Sequence, residues 1–242
     1  ELTISEPPDL CLGGPLPLCF GRYYASLLDR EGTAFGHLGT NWLGTFDWKL
    51  EVAGSTETIV GNRGERLLFG AIVGGGLVPL NRFEESNTLV IRAADNMYRL
   101  HRGQQRRTYE FDGTSGLLQR ILDEHGNSLV CSYTGGLLTS VGDGHGRTLT
   151  FAYDPGNHLI LAGDGTRSVS YGYTGNLLTS YTDPDGHGST YSYAAGPYSG
   201  LLVSRTSPAG RTPMTYAYSA EGEVSSEMDA LGHVWTFGVG PG

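Results

Sequence analysis

Pairs of aromatic residues separated by one residue recur through the second half of this chain. The second members of successive pairs lie 22, 20, 20, 20, 25 and 19 residues apart, counting Cys131/Tyr133 as a pair whose first ring is replaced. A fixed period of this kind indicates a repeat architecture. The predicted repeat positions are Tyr109, Phe111, Tyr133, Phe151, Tyr153, Tyr171, Tyr173, Tyr191, Tyr193, Tyr216, Tyr218, Trp235 and Phe237.

Each repeat has the same internal order of turn and strand signals. A small polar residue and a glycine follow the aromatic pair, as in Thr134-Gly135, then come leucines, and then a second turn such as Asp143-Gly144. Asp-Gly steps supply the positive φ angles that two-residue hairpin turns require. About 20 residues therefore predict two strands and two turns, and successive units predict one long antiparallel strip.

Residues two apart on a strand share a face, so both rings of each pair are expected on one side of the sheet. Two interpretations of that face are open. The rings could pack as an inner face, or they could form an exposed carbohydrate-binding row. Their presence in every unit favours packing, because a binding site is usually local. A twisted sheet that covers such a face is expected to curl into part of a β-shell or spiral.

The region before the repeats predicts a β cap. Domains are expected at 1–105 for this cap and at 106–242 for about six repeat units. Trp42, Phe46 and Trp48 are predicted to plug one end of the sheet, as atypical terminal units of repeat proteins do. No stretch has capped helical periodicity, so the fold class is all-β. Cap strands are predicted at 46–52, 57–60, 65–69, 88–93 and 97–101.

Charge and hydropathy exclude two classes of partner. The net charge is −9, and residues 109–242 alone hold 13 acidic and 5 basic residues. Such a surface repels phosphate backbones and anionic headgroups, so nucleic acid is not an expected partner. The longest weakly charged apolar run, 67–80, is too short to span a bilayer and contains three consecutive glycines, so membrane insertion is not expected.

The cysteines and the chain ends give weaker indications. Cys131 alternates with strand residues and is predicted to be a small buried side chain. Whether Cys11 and Cys19 are bridged is left open by the sequence. The chain begins at Glu1 rather than Met and stops just after an aromatic pair. We therefore expect it to be a fragment of a longer protein.

Several motifs could bind a metal or transfer protons, but each is better explained as a structural turn. Asp-x-His recurs, as at Asp143/His145, and could form metal or acid–base pairs, but equivalent turns carry Thr166 or Arg211 instead. The segment from Asp183 loosely resembles a calcium loop, yet its twelfth residue is Ala194, where a bidentate glutamate is needed. We expect no catalytic residue, no cofactor and no metal ligand, and hence no enzyme.

The chain resembles the RHS family, also called YD-repeat proteins. The repeats over 109–237 match its Tyr, Asp or Thr, Gly, Leu, Asp, Gly pattern. Segments 16–26 and 36–43 resemble the domain that precedes those repeats in bacterial members, and together these parts cover nearly the whole chain. The residues of that N-terminal motif are Arg22, Tyr23, Tyr24, Gly39 and Trp42.

The resemblance implies a strip of β-sheet that spirals into a hollow shell. In bacterial relatives such a shell encloses a C-terminal toxin, and in animal teneurins a similar shell serves cell adhesion. Neither the family's self-cleaving C-terminal core nor a toxin domain is found within these 242 residues.

The expected function is therefore a non-catalytic wall or scaffold, secreted or at the bacterial cell surface. Its expected partners are the rest of the parent protein and an enclosed C-terminal cargo. The alternative is an extracellular module that binds glycans or a cell-surface protein. A homodimer through open sheet edges is a further expectation.

Overall fold

The computed structural model describes residues 1–71, 76–79, 88–92, 95–196, 199–207 and 209–238. Within these residues every element is a β-strand, which confirms the all-β fold class. No helix in this described part is long and apolar enough to cross a membrane. Part of the 67–80 apolar run and the predicted strand end at Ala93 lie outside the described residues.

The described strands are short, and most have five or six residues. In chain order they are β1 (Thr3–Ser5), β2 (Leu10–Cys11), β3 (Cys19–Phe20), β4 (Arg22–Ala25), β5 (Trp42–Gly44), β6 (Lys49–Ala53), β7 (Thr56–Val60), β8 (Arg66–Ala71), β9 (Gly76–Pro79), β10 (Thr88–Arg92), β11 (Met97–Arg102), β12 (Arg107–Asp112), β13 (Leu118–Asp123), β14 (Ser128–Thr134), β15 (Leu137–Gly142), β16 (Thr148–Tyr153), β17 (Leu159–Gly163), β18 (Ser168–Thr174), β19 (Leu177–Thr182), β20 (Gly188–Tyr193), β21 (Leu202–Thr206), β22 (Met214–Tyr218), β23 (Val224–Asp229) and β24 (Val234–Thr236).

The chain divides into two compact units. The first unit comprises Glu1–Asp9, Gly21–Gly44 and Ala152–Gly242, and the second comprises Leu10–Phe20 and Thr45–Phe151. Each unit therefore combines part of the N-terminal region with part of the repeats. The boundary between a cap at 1–105 and repeats at 106–242 stays a prediction.

In both units the repeat strands form an antiparallel meander, as the hairpin pattern predicts. In the second unit each strand from β6 to β15 pairs with the next one along the chain. In the first unit the same holds from β17 to β24. Of the N-terminal strands, β4 lies between β1 and β5, and β2 pairs with β3.

One predicted cap strand begins later than expected. The prediction placed a strand at 46–52, but β6 starts at Lys49. The backbone N–H of Trp48 donates to the carbonyl of Phe46 at 2.9 Å, a tight turn that an extended strand cannot make. This turn leaves Phe46 and Trp48 buried while the chain changes direction.

A bulge recurs at the second aromatic of the repeat. The strand register shifts immediately before that residue. The shifts lie between Glu110/Phe111, Ser132/Tyr133, Gly172/Tyr173, Ser192/Tyr193 and Ala217/Tyr218. A bulge bends its strand and increases the local right-handed twist. The repeat therefore places an added twist at the same position of successive hairpins, a feature that the period alone did not predict.

Candidate functional site

The first ring of each pair is buried in most units. The first rings Tyr109, Phe151, Tyr171 and Tyr191 all lie in the core, and so does Phe111, the second ring of the first pair. Cys131, which replaces the first ring of its pair, is buried as well, and burial raises the pKa of its thiol to about 12. Across these units the ring face is a packed face, not an exposed row.

The second tyrosine of a pair forms a hydrogen bond to an earlier strand. Tyr133 donates its hydroxyl to the carbonyl of Leu118 at 2.7 Å, and Tyr173 donates to that of Leu159 at 2.7 Å. The same bond recurs from Tyr193 to Leu178 and from Tyr218 to Leu202, both at 2.6 Å. We call this bond the hydroxyl staple. It gives the repeating tyrosine a structural role that a phenylalanine could not fill.

The packed face does not extend to the last pair. Trp235 is 48% exposed and Phe237 is 47% exposed, so the expectation of buried rings in every unit is wrong there. The strand that carries Trp235, β24, is the last of the described meander, and Tyr216 in the preceding pair is only half-buried. Tyr153 is half-buried too, and its ring lies edge-on to His37 at 5.4 Å between centroids.

Arg22 of the N-terminal motif forms a buried ion pair in the first unit. Its Nε and Nη2 donate to the two carboxylate oxygens of Asp9 at 2.7 and 2.9 Å. Its Nη1 donates to the hydroxyl of Tyr191 at 2.6 Å, and Tyr171 donates its hydroxyl to Asp9 at 2.8 Å. We call these four residues the Arg22 cluster. Each charged group in it is met by fixed hydrogen bonds, which is the condition for burying a charge.

Aromatic rings surround the Arg22 guanidinium. Its central carbon lies 4.0 Å from the ring centroid of Tyr181 and 5.5 Å from that of Tyr171. The rings of Trp42 and Tyr191 are each 5.7 Å away. Cation–π attraction of this kind adds to the ion pair when water is excluded.

The pKa values of the Arg22 cluster disfavour a catalytic role. Burial would lower the pKa of Arg22, but the neighbouring Asp9 carboxylate raises it above its ordinary value. Burial, and then Asp9, raise the pKa of Tyr171 well above its ordinary value. The hydroxyl of Tyr171 is thus a poor base and a poor nucleophile, and we assign the cluster a packing role.

The other N-terminal motif residues also serve packing. Trp42 donates its ring N–H to the hydroxyl of Tyr193 at 2.9 Å and lies 5.1 Å from the ring of Tyr191. Tyr24 is fully buried, its hydroxyl accepts from the N–H of Leu202 at 2.7 Å, and burial raises its pKa to about 12. Tyr23 is half-buried against a small apolar cluster around Leu43.

Gly39 is required by close contact with the repeat strip. Its φ is +86°, and a Cβ at this position would lie 2.5 Å from the carbonyl oxygen of Asn176. The same carbonyl accepts a hydrogen bond from the N–H of Thr40 at 2.8 Å. A side chain at position 39 would therefore separate the N-terminal region from the hairpin that holds Asn176.

In the second unit, N-terminal rings again pack on repeat rings. Trp48 stacks on Tyr109 with 4.4 Å between centroids, and Phe20 lies 5.1 Å from Phe151. The ring centroid of Phe46 lies 6.3 Å from those of both Phe20 and Phe151. A disulfide joins Cys11 to Cys19 just before Phe20, which settles the pairing that the sequence left open.

The Asp-x-His motifs are turns. Asp143 accepts hydrogen bonds on one oxygen from the N–H groups of His145 and Arg147, at 2.8 and 3.1 Å. His145 itself is exposed. Asp123 accepts the same pair of backbone bonds, from residues two and four positions later. In the third motif, Asp185/His187, the aspartate that accepts these bonds is not Asp185 but Asp183, two positions earlier. The turn interpretation is confirmed.

Three potential metal ligands approach one another at one of these turns. Each of these residues offers one ligand atom, and the three atoms lie within 4.8 Å of one another. The residues are Asp183, Asp185 and His187. Both Asp183 oxygens, however, are used by this turn, since the second accepts from His187 Nδ1 at 3.3 Å. The arrangement is explained by the turn, and we assign no metal to it.

One family model matches the N-terminal region of the chain. Residues 3–69 match the family described as "Domain of unknown function (DUF6531)", and that range contains all five N-terminal motif residues. Among curated proteins nothing matches. One similar solved structure is described as "Crystal Structure of TcdB2-TccC3 without hypervariable C-terminal region". It has a TM-score of 0.34 and 10% sequence identity to this chain, and the alignment covers 89% of this chain but 14% of that one. The chain spans about a seventh of the length of that relative.

Proposed function

We propose that this chain is a non-catalytic wall segment, the cap and first turns of an RHS-type β-shell that encloses a C-terminal toxin or other cargo in its parent protein. The observation that carries the proposal is the same in both units. Rings of the N-terminal region pack directly on rings of the repeats, as Trp48 does on Tyr109 and Trp42 does on Tyr191. The face that would otherwise be available to a ligand is used to hold the wall together.

The energetics of that packing favour a structural role. Burying one large apolar side chain contributes roughly 1.5–3 kcal/mol. The ring contacts recur from Tyr109 to Tyr191, which spans most of the repeat region. A local binding site would need only a few of them, whereas a wall needs them along much of its length.

The Arg22 cluster supports a cap that docks in one register. A buried ion pair contributes little net stability, but a wrong alignment would leave its charges unpaired at a cost of several kcal/mol. Because Asp9 and Arg22 lie before the repeats and Tyr171 and Tyr191 lie within them, only one alignment satisfies all four groups. This is the behaviour expected of a part that closes a larger assembly.

The rings that an adhesion module would use to bind glycans are not exposed. Tyr171 and Tyr191 are buried, so replacing either by alanine would test folding and not glycan binding. Exposed apolar side chains gather instead near β24, at Leu231, Val234 and Trp235. We assign these side chains to contact with the rest of the parent protein, and a second copy of this chain is the alternative occupant.

The test uses the parent protein, purified without denaturation from the secreted or cell-surface fraction. We expect mass spectrometry and a denaturing gel to show a cleaved C-terminal piece that co-purifies with the wall until it is unfolded. An intact chain with no retained piece would contradict the cargo role and favour the adhesion role.

A further inference from the structure

A polar cavity of about 370 Å³ lies in the second unit, apart from the Arg22 cluster. It is formed where the turn between β7 and β8 approaches the turn between β11 and β12. Its volume is at the small end of the range for small-molecule sites, roughly 300–1,000 Å³. The charged and amide side chains of its lining are those of Asn62, Arg63, Glu65, Arg102, Gln105 and Arg107.

The lining is positively charged in an acidic protein. Three arginines face one glutamate there, a local excess of two positive charges, while the whole chain carries −9. A concave site with charge of one sign raises the local concentration of oppositely charged small molecules. The cavity therefore selects for anions, although the surface as a whole repels them.

Part of the lining is held in place before any ligand binds. Arg102 donates from Nη1 to Glu65 at 3.2 Å, and its guanidinium lies 5.9 Å from the ring of Trp48. Asn62 donates to the carbonyl of Thr45 at 3.0 Å. Positions fixed in this way reduce the ordering cost of binding.

The floor of the cavity is formed by two buried aromatic rings. Trp48 and Tyr109 are buried, and their rings stack 4.4 Å apart. Burial raises the pKa of Tyr109, so its hydroxyl stays neutral and donates to Gln105 at 3.1 Å. An apolar edge of the ligand would contact these rings, and its polar groups would contact the polar rim of the cavity.

The chemistry of the rim identifies the ligand class. Guanidinium groups present paired N–H donors that match a carboxylate or a phosphate. The side-chain amides of Asn62 and Gln105 suit hydroxyl groups, which both donate and accept. Glu65 in the lining repels a dianion more strongly than a monoanion, which favours a carboxylate.

We propose that this cavity binds a small hydroxylated carboxylic acid, of which a sugar acid is the simplest example. Arg63 and Arg107 would hold the carboxylate, and the amides would take the hydroxyls. The site shares the stacked rings of Trp48 and Tyr109 with the wall packing, but its polar rim uses neither the Arg22 cluster nor the hydroxyl staples. Either proposal can therefore fail without the other.

The test is titration of the whole chain with D-glucuronate, followed by calorimetry and by tryptophan fluorescence, since Trp48 lines the cavity. We expect saturable binding that weakens about tenfold or more in Arg63→Gln and in Arg107→Gln, because each loses a charge-assisted bond. Both side chains are exposed, so the fold should be kept, and circular dichroism checks this. Arg211→Gln, an exposed arginine of the first unit, is the matched control and should bind as the unmodified chain does.

Three further ligands separate the parts of the proposal. D-glucose should not bind measurably, and acetate should bind more weakly than glucuronate. Inorganic phosphate bound as tightly as glucuronate would overturn the assignment to a hydroxylated carboxylic acid. The absence of saturable glucuronate binding, or equal binding by Arg63→Gln and Arg107→Gln, would overturn the site itself.

Discussion

The guanidinium of Arg22 and the carboxylate of Asp9 form two parallel hydrogen bonds, with both side chains only 2% exposed. Removing one partner leaves the other charge buried and unpaired, which costs about 3–5 kcal/mol. We expect Arg22→Met and Asp9→Asn each to lower the free energy of unfolding by that amount in urea titrations. The double variant Arg22→Met/Asp9→Asn should lose less than the sum of the two single changes. Additive losses would mean that the two groups do not act as a pair.

The hydroxyl staples should contribute measurably and unequally. Tyr133→Phe and Tyr173→Phe each remove one hydrogen bond to a leucine carbonyl and should cost about 1 kcal/mol. Tyr193→Phe should cost more, because the ring N–H of Trp42 also loses its acceptor. Urea unfolding at neutral pH measures each value.

The control for the staples is Tyr216→Phe. Among the hydrogen bonds of the described residues none involves the hydroxyl of Tyr216, although its ring is half-buried in the same strip. Its stability should match that of the unmodified chain. Equal losses in all four variants would show that the hydroxyl bonds are not the cause.

Gly39 offers a steric test of the contact between the N-terminal region and the repeats. Gly39→Ala must place a Cβ 2.5 Å from the Asn176 carbonyl and also adopt a positive φ. The control Gly32→Ala shares a positive φ, +68°, but meets nothing within 4 Å. We expect about 1–2 kcal/mol of destabilisation for the control, from backbone strain alone. Gly39→Ala should lose a further ~1–3 kcal/mol from overpacking, and equal losses would contradict the close contact.

The turn aspartates predict an acid limit to stability. Backbone hydrogen bonds from Arg167 and Thr166, and then the Arg167 side chain, lower the pKa of Asp164 from 3.8 to about 2. A group whose pKa is lowered by folding stabilises the fold above its unfolded value, and that contribution is lost as pH falls through the folded value. The pKa is lowered, by hydrogen bonds and despite partial desolvation, in the other turn aspartates Asp112, Asp123, Asp143, Asp154, Asp183 and Asp229.

The melting temperature should therefore fall as pH is lowered from about 4 towards 2, measured by circular dichroism. Asp164→Asn should make that fall shallower. Asp185→Asn is the control, since in the described structure its carboxylate accepts no hydrogen bond. A melting temperature that stays constant over this range would contradict the turn assignment.

The disulfide between Cys11 and Cys19 predicts a pattern of thiol labelling. With Cys131 buried, an alkylating reagent should label no thiol in the native, unreduced chain. Denaturation without reductant should expose one thiol, and denaturation with reductant should expose all three. Mass spectrometry counts the labels, and three labels without reductant would show that the pair is not bridged.

Local patterns predicted the hairpins but not the contacts that hold the N-terminal region. Asp143-Gly144 identifies its turn because the carboxylate and the glycine act within five residues. The aromatic period likewise predicted a packed face. The bulge before Tyr173 escaped prediction, since the period is the same with or without a register shift.

The Arg22 cluster shows why contacts between distant parts of the chain could not be predicted from the sequence. Arg22 and Tyr191 are 169 residues apart, and Asp9 and Tyr171 are 162 apart. No spacing rule connects residues so far apart in the sequence, and the sequence alone does not distinguish a buried arginine from an exposed one. The resemblance singled out Arg22 as a motif residue, but its partner Asp9 had no recognisable signal.

The central claim is that this chain forms part of a wall around a cargo. The most direct measurement is protease treatment of the natively purified parent protein, following its C-terminal segment by mass spectrometry. We expect this segment to survive while the particle is folded and to be digested once mild denaturant opens the wall. Digestion of the segment in the native protein, at the rate seen after unfolding, would contradict it.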